Sequence, residues 1–367
     1  MKAAIFGVGR MGQAITWSME RFGFENFAFD KNPENFYARK DLHNTEFHLC
    51  EEDEKKTLNL LKEKKPDIVI SSLPYHQLKN VALFCIENNI KYCDLGGRVD
   101  ISDEIKNYAF SKGKAYVFTD LGLAPGYVNI EAEHGINLIS GATTVKMMVG
   151  GLPLLSENNN TWNNPSYCPL HYKTTWSIDG LINEYRDDCL ILENGKIIKV
   201  KGMDGLELVA TGVGELESFY TSGGASHSLG TMIKKGVKRC SYKTLRYKGH
   251  RDIVQWLIRK CELTNEELVK IFKNGCKNEE KDLVIIRTEI QGGETTWKKE
   301  KIIYADDNFS AMQKATAFSI SSVAKMMAED SFSNKKVLNY SDVDYDSFIK
   351  NISKLEVLNS NEESVAP

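Results

Sequence analysis

The run Gly7-Val8-Gly9-Arg10-Met11-Gly12 constrains this chain more than any other stretch. It is a G-x-G-x-x-G set directly between a strand pattern, KAAIF, and a helical pattern, QAITWSMERF. In that context Gly7 permits the tight turn, Gly9 lets a pyrophosphate approach the backbone, and Gly12 lets helix and strand pack closely. Arg10 and Met11 open the helix, whose free N–H groups and dipole favour an anion. Asp30 closes the next strand pattern, NFAFD, about twenty residues on. A carboxylate there accepts hydrogen bonds from the adenosine ribose and repels a 2′-phosphate, so NAD is the expected cofactor. Lys31 and Arg39 are the nearby cations that argue for NADP. The first third of the chain alternates short apolar runs (AAIFGV, NFAFD, DIVISSL, KYCDLGG, AYVFTDLG) with amphipathic segments, the rhythm of a parallel sheet wound with helices.

A chain of 367 residues is long for one core and suits two domains. Beyond about Pro125 the strands lengthen (TTVKMMVGGLP, DCLILENGKIIKV, KTLRYKG, DLVIIRTEIQGG), as in a mixed α+β domain. Asn194-Gly195 falls between two apolar runs and marks a hairpin. SAMQKATAFSISSVAKMMA reads as a helix with Ser310 placed to cap it, and the chain is expected to fray beyond about Leu355. The expected division is a Rossmann domain over 1–124, an α+β domain over 125–308, and C-terminal helices over 309–367 that return to the first domain. The fold class is thus α/β, a doubly wound parallel sheet with a second mixed-sheet domain.

Composition excludes several classes of partner. Forty-seven Lys and Arg against fifty Asp and Glu leave a net charge of −3 without a basic block, so nucleic acid is not expected. The short apolar start breaks at glycines and fits neither a signal peptide nor a membrane span; a cytoplasmic protein with no membrane partner is expected. Eight scattered cysteines form no CxxC pair and no zinc-spaced cluster, so no metal is expected and the thiols are expected to stay reduced.

Several further segments carry a resemblance: DLGG at 94–97, DLGLAPGYVNI at 120–130, VGGLP at 149–153, WSIDGLINEY at 176–185, LESFYTSGG at 216–224, KTLRYKGH at 243–250 and AMQKATAFSISSVA at 311–324. In this order they resemble the saccharopine dehydrogenase-like family, and within it the lysine 6-dehydrogenase branch. The resemblance implies a Rossmann domain that the chain leaves after the APG turn and re-enters with the AMQKATAF helix. It also implies a sheet domain carrying substrate and dimer contacts, hence a homodimer.

Candidate site residues follow from position and chemistry. Ser71-Ser72-Leu73-Pro74 follow the fourth strand, DIVI, at the carboxyl edge where doubly wound sheets bind ligands; by resemblance their backbone lines the nicotinamide ribose. Tyr75 is next, either reaching into the cleft or covering a helix start. Asp120-Leu121-Gly122 end the last parallel strand on the same edge, and Pro125 begins the turn to the second domain. Asp120 is either a polar group beside the reacting carbon or a cap for its own turn. Arg246 suits a bidentate grip on an α-carboxylate, or else a structural salt bridge. Thr221, Ser222 and Gly223 lead to His227; both His227 and His250 are candidate substrate contacts and proton carriers, or ordinary hydrogen-bonded histidines.

By resemblance, Asp179 stands where saccharopine-processing relatives tend to have a base. An acid there attracts an ammonium and repels a glutarate arm, which favours free lysine. Glu184 and Glu217 add to an anionic pocket or are solvated charges. The implied reaction is loss of hydride from C6 of lysine to NAD, with hydrolysis to 2-aminoadipate 6-semialdehyde and ammonia, and cyclisation to a piperideine carboxylate. An ammonium has no lone pair to expel hydride, so a proton must leave first; Asp179, Asp120, Tyr75 and a water are the candidate acceptors. The alternatives are a saccharopine or carboxynorspermidine dehydrogenase-type reaction on a secondary amine, and a non-catalytic NAD-binding sensor. The segment after 324 and the polar stretch at 158–172 depart from the family pattern.

Overall fold

The computed structural model describes residues 1–37, 39–50, 54–112, 116–154, 170–225, 227–276, 281–332 and 336–363. The chain separates into two compact units, Met1–Ile130 with Gln313–Pro367, and Glu131–Met312.

The first unit is built on six parallel strands: β1 (Lys2–Phe6), β2 (Glu25–Asp30), β3 (Thr45–Leu49), β4 (Ile68–Ser71), β5 (Lys91–Asp94) and β6 (Val117–Phe118). Their order is β3-β2-β1-β4-β5-β6, reversing direction between β1 and β4, as in dinucleotide-binding sheets. Helices α1 (Arg10–Arg21), α2 (Glu54–Lys64), α3 (Tyr75–Glu87) and α4 (Val99–Lys112) make the crossovers. Ala3 to Phe6, Asn26 to Asp30 and all of β4 are buried, which is why these strands read as continuous apolar runs rather than alternating ones. The edge strand β3, TEFHL, mixes polar and apolar residues and has no such run, so the sequence implies it only through the strand count. β6 is only two residues long, because the chain turns at Asp120, whose φ is +64°.

Inside α1, Ala14, Ile15, Trp17 and Met19 are buried, while the Thr16 and Ser18 hydroxyls bond back to the carbonyls of Gly12 and Ala14. Trp17 stacks on Phe318 at 5.9 Å between ring centres. Each such fully enclosed apolar side chain contributes roughly 1.5–3 kcal/mol. Phe318 belongs to the helix expected near the C-terminus, whose span is Ala311–Ala328. The last helix, Tyr345–Glu363, continues beyond Leu355, and the expected fraying there is corrected by the structure. Leu355 and Asn359 are buried on it, so packing extends the helix through its charged sequence.

The helix Tyr127–Leu138 is α5 in chain order and crosses the first boundary between the units. The second unit holds an eight-stranded mixed sheet: β7 (Thr144–Pro153), β8 (Asp188–Glu193), β9 (Lys196–Lys201), β10 (Glu207–Thr211), β11 (Gly214–Tyr220), β12 (Arg239–Arg246), β13 (Asp282–Gly292) and β14 (Thr295–Tyr304). β7 lies at its centre, parallel to β12 and antiparallel to β13. Asn194 and Gly195, both at positive φ, close the expected hairpin of β8 and β9. Helices α6 (Ile178–Arg186), α7 (Ser228–Lys234), α8 (His250–Arg259) and α9 (Asn265–Gly275) complete the unit. Leu181, Ile182, Tyr185, Phe219, Val254, Leu268 and Phe272 form one of its cores. By the same numbering, Ala311–Ala328 is α10 and Tyr345–Glu363 is α11.

The start of α10 takes a cap from far along the chain. The buried Asp282 carboxylate accepts hydrogen bonds from the N–H groups of Ala311 at 2.9 Å and Met312 at 3.1 Å. Local sequence points to Ser310, and an acid this far away in the chain has no local signal. Asp282→Ala should cost about 1–2 kcal/mol of unfolding free energy in urea, and Asp282→Asn less, since the amide keeps one acceptor. An unchanged midpoint for the alanine variant would mean that Asp282 contributes nothing to holding this helix end.

Candidate functional site

The glycine turn between β1 and α1 is shaped by contacts that leave no room for side chains, except at one position. A Cβ on Gly12 would stand 1.8 Å from the Gly7 carbonyl oxygen, and one on Gly7, at φ +83°, would press on Ser72 at 3.2 Å. A Cβ on Gly9 would meet nothing within 4 Å. Packing therefore explains Gly7 and Gly12, while Gly9 borders open space next to the start of α1. That helix start has no side-chain cap and no acid in its first turn, the electrostatic setting that suits a pyrophosphate. The fingerprint residues Gly7, Gly9, Arg10, Met11 and Gly12 thus fit a dinucleotide.

Asp30 ties this loop down. Its Oδ2 accepts from the Val8 N–H at 2.6 Å and from the Asn35 amide at 3.1 Å, and its Oδ1 accepts from the Asn32 N–H at 2.8 Å. Across β4, the Ser72 hydroxyl donates to the Gly7 carbonyl at 2.6 Å, next to a fully buried Ser71. Leu73 is half-buried, Pro74 stands at the N-cap of α3, and Tyr75 is its first residue. The Tyr75 ring is half-buried, meets His76 edge-on and has the Arg98 guanidinium 5.8 Å from its centre.

Beyond β5 and β6 lies a buried carboxylate pair. Asp94 Oδ1 accepts from the N–H groups of Gly96 and Asp120, and its carbonyl accepts from Leu121, so one residue holds both loops of this edge. Burial and the neighbouring Asp120 push Asp94 up to about 7. Asp120 is itself 2% exposed, with Oδ1 taking the Ser102 hydroxyl at 2.9 Å and the Tyr340 hydroxyl bonding its carbonyl. Its carboxylate points into the first unit, an arrangement suited to bracing its own turn rather than to meeting a substrate. Leu121 is buried beside it, Gly122 accepts the Tyr127 N–H, and Pro125 follows a cis peptide bond.

In the second unit the structure gathers a different set. Arg246, at the end of β12, is 3% exposed, donates from Nε to the Tyr185 hydroxyl at 3.0 Å and from Nη1 to the Leu245 carbonyl at 2.9 Å. Its guanidinium lies 4.6 Å from the centre of the Tyr172 ring. Among the described residues it forms no ion pair, so the salt bridge weighed above is not what holds it. The Tyr185 hydroxyl also meets His250 Nε2 at 2.9 Å, and His250 Nδ1 meets the Leu170 carbonyl at 2.5 Å. A carbonyl only accepts, so Nδ1 carries the proton, Nε2 accepts from Tyr185, and the tyrosine oxygen accepts from Arg246. His250 is wholly enclosed, and burial with the nearby Arg246 cation pulls it down to about 3. It is a fixed link in a hydrogen-bond chain, with both nitrogens committed, and not a proton carrier.

Of the other expected residues, Thr221 is buried with an unpartnered hydroxyl, and the Ser222 N–H donates to the Glu184 carbonyl. Gly223 sits at φ +88°, and Gly224 lies flat against the Tyr242 ring, which places this segment beside the Arg246 group. His227 is at the N-cap position of α7 without capping it through its side chain. Asp179 is exposed in the first turn of α6, five residues and therefore about 140° around the helix from Glu184. Glu217 accepts the N–H groups of Gly249 and Arg251 and so secures the start of α8 rather than lining a pocket. The segment 155–169 lies outside the described residues.

Tyr172, Tyr185 and Tyr242 were not anticipated. The 178, 181, 182, 185 spacing in WSIDGLINEY marks the buried stripe of α6, and would have put Tyr185 inside and Glu184 at its margin. Among the described residues no cluster could hold a metal ion, the cysteines are free thiols, and no helix is long and apolar enough to cross a membrane.

Two family models match the chain, the saccharopine dehydrogenase NADP binding domain over residues 3–116 and the saccharopine dehydrogenase C-terminal domain over 122–357. The chain is 31% identical over 140 residues to a mitochondrial alpha-aminoadipic semialdehyde synthase of Mus musculus, covering 37% of this chain and 14% of that protein. It is 27% identical over 145 residues to a saccharopine dehydrogenase [NADP(+), L-glutamate-forming] of Schizosaccharomyces pombe, covering 38% of this chain and 30% of that one. The matched stretch is therefore well under half of each relative. An apo saccharopine dehydrogenase (L-Glu forming) from Saccharomyces cerevisiae superposes with a TM-score of 0.70 at 15% identity, over 96% of both chains, which shows a shared fold.

The depressed His250 gives a stability prediction of definite sign. Between about 6.5 and 3 the unfolded chain binds a proton that the folded chain refuses, so His250 stabilises the fold above that window and its contribution is lost as the pH falls through it. The stability advantage of native protein over His250→Gln should shrink below pH 6.5 by up to about 1.4 kcal/mol per pH unit. Urea unfolding at pH 7, 6 and 5 reads this directly, and an advantage that stays constant would show that His250 is not held neutral.

Proposed function

Because the chain belongs to the saccharopine dehydrogenase family, we propose that it is an NAD-dependent amino-acid dehydrogenase that oxidises the C6–amine end of lysine. The observation that carries this reading is the Arg246 guanidinium, buried, fixed by Tyr185 and Leu245, and without an acidic partner. A planar fork held in that way suits the carboxylate of an amino acid. Asp30 supports NAD, since a carboxylate at the end of β2 accepts from ribose hydroxyls and repels a 2′-phosphate.

NAD, when bound, supplies the hydride acceptor. The chain's own groups then have separate tasks. The residues of the β1–α1 turn receive the pyrophosphate, and Ser71, Ser72, Leu73, Pro74, Leu121, Gly122 and Pro125 border the nicotinamide end. Arg246 holds the α-carboxylate, with Thr221, Ser222 and Gly223 beside it. Asp179 keeps an exposed carboxylate to attract the terminal ammonium and to take the proton that must leave before hydride can. Asp120 and His250 are withdrawn from that task by their burial. The imine so formed is hydrolysed by water to the semialdehyde and ammonia.

A second reading, cleavage of a secondary amine such as saccharopine, is favoured by the names of the relatives. A panel of lysine, saccharopine and cadaverine with NAD, followed by reduced-nicotinamide absorbance, separates the two. Lysine should exceed saccharopine in kcat/KM. Arg246→Lys keeps the charge and loses the fork, and should raise KM for lysine by about 10- to 100-fold, or about 1.4–3 kcal/mol. Cadaverine, which has no carboxylate, should not respond. Saccharopine as the better substrate, or an equal loss for lysine and cadaverine, would contradict this assignment.

A further inference from the structure

Glu184 stands beside Arg246 without being bonded to it. It is the third residue from the end of α6, its backbone carbonyl is held by the Ser222 N–H, and its side chain is half-buried. Its carboxylate forms no hydrogen bond or ion pair with any described residue, although it lies within electrostatic reach of the Arg246 guanidinium. No nitrogen of Arg246 comes within 4.0 Å of it, the limit for an ion pair. The hydrogen-bond chain from Arg246 through Tyr185 and His250 to the Leu170 carbonyl accounts for this separation. Nε and one Nη1 proton are committed to Tyr185 and Leu245, and the ring of Tyr172 covers one face, so the guanidinium is held where it is. Nη2 has no partner among the described residues. A carboxyl and a guanidinium are thus kept near one another, each with unused bonding capacity, and neither satisfying the other.

We propose that Glu184 and Arg246 together form a clamp for the zwitterionic head of an α-amino acid, with Glu184 taking the α-ammonium and Arg246 the α-carboxylate. This rests on the reading of Arg246 as a carboxylate site, and adds to it a second residue that determines specificity. Such a clamp admits amino acids and disfavours both plain carboxylates, which leave the Glu184 carboxyl without a bonding partner, and plain amines, which leave the Arg246 charge uncompensated.

The clamp has a proton signature. Burial pushes Glu184 up to about 8, against the pull of Arg246, so that it is protonated at pH 7 with the pocket empty. The groups facing it are Arg246 and Tyr242 from β12, Tyr172 from the segment before α6, Cys189 at the start of β8, and Tyr185 on its own helix. The tyrosines and the thiol are all pushed up by burial, which leaves Arg246 as the group of this set charged near neutrality. An arriving ammonium favours the Glu184 carboxylate, so binding at pH 7 should expel up to about one proton.

The test is calorimetric titration of the full chain with L-norleucine, which has the zwitterionic head and no terminal amine, and with hexanoate, which has the carboxylate alone. Titrations in phosphate and in Tris at pH 7 read the proton count from the difference in heat. Native protein should prefer norleucine by tenfold or more and release close to one proton on binding it. Glu184→Gln should lose both the preference and the proton release while still binding hexanoate, and thermal melting would check its fold. Norleucine binding by native protein without proton release, or a Glu184→Gln variant that keeps the preference, overturns the role of Glu184 and leaves Arg246 standing. Native protein that binds neither ligand overturns the Arg246 reading, and the clamp with it.

Discussion

The contact on which the rest of the first unit depends is the one between Gly12 and Gly7. No side chain fits between the first turn of α1 and the carbonyl at the end of β1, so helix and strand meet backbone to backbone. The loop between them is then pulled taut by Asp30 from β2 and Ser72 from beyond β4. Three neighbouring strands thereby fix one turn, at the point where the strand order reverses. The open space at Gly9 is the remainder of that arrangement, bordering the uncapped start of α1.

The second unit solves a different problem, which is how to keep a guanidinium inside a protein without an acid to neutralise it. Ring faces of Tyr172 and Tyr185 shelter it, a neutral His250 orients Tyr185, and backbone carbonyls end the hydrogen-bond chain at both ends. An unpaired buried cation costs several kcal/mol. That cost is the physical reason for seeking the amino-acid head in this unit and for assigning Glu184 a share in holding it.

Much of this was legible in the sequence, and for identifiable reasons. The fingerprint and Asp30 were readable because each is a local pattern whose meaning depends only on the strand and helix next to it. The strands buried on both faces announced themselves as apolar runs, and Asn194-Gly195 marked its hairpin by turn chemistry alone. β3 was harder to place because an edge strand has no such run. Asp282 capping α10, Tyr185 orienting Arg246 and Asp94 joining two loops are contacts between distant segments, for which a single sequence has no local signal. Asp120 and His250 are instructive in another way: their residue types suit proton transfer, but burial and committed hydrogen bonds decide otherwise, and burial of one side chain is not written in its neighbours.

The central claim is that the loop held by Asp30 takes NAD. It is tested most directly by the dissociation constants of NADH and NADPH, measured by nicotinamide fluorescence for native protein and for Asp30→Ser. The account predicts that native protein binds NADH at least about tenfold more tightly, and that the serine variant narrows this ratio by losing the ribose contact and the repulsion of the 2′-phosphate. Tighter binding of NADPH by native protein, or a ratio untouched by the substitution, would contradict it.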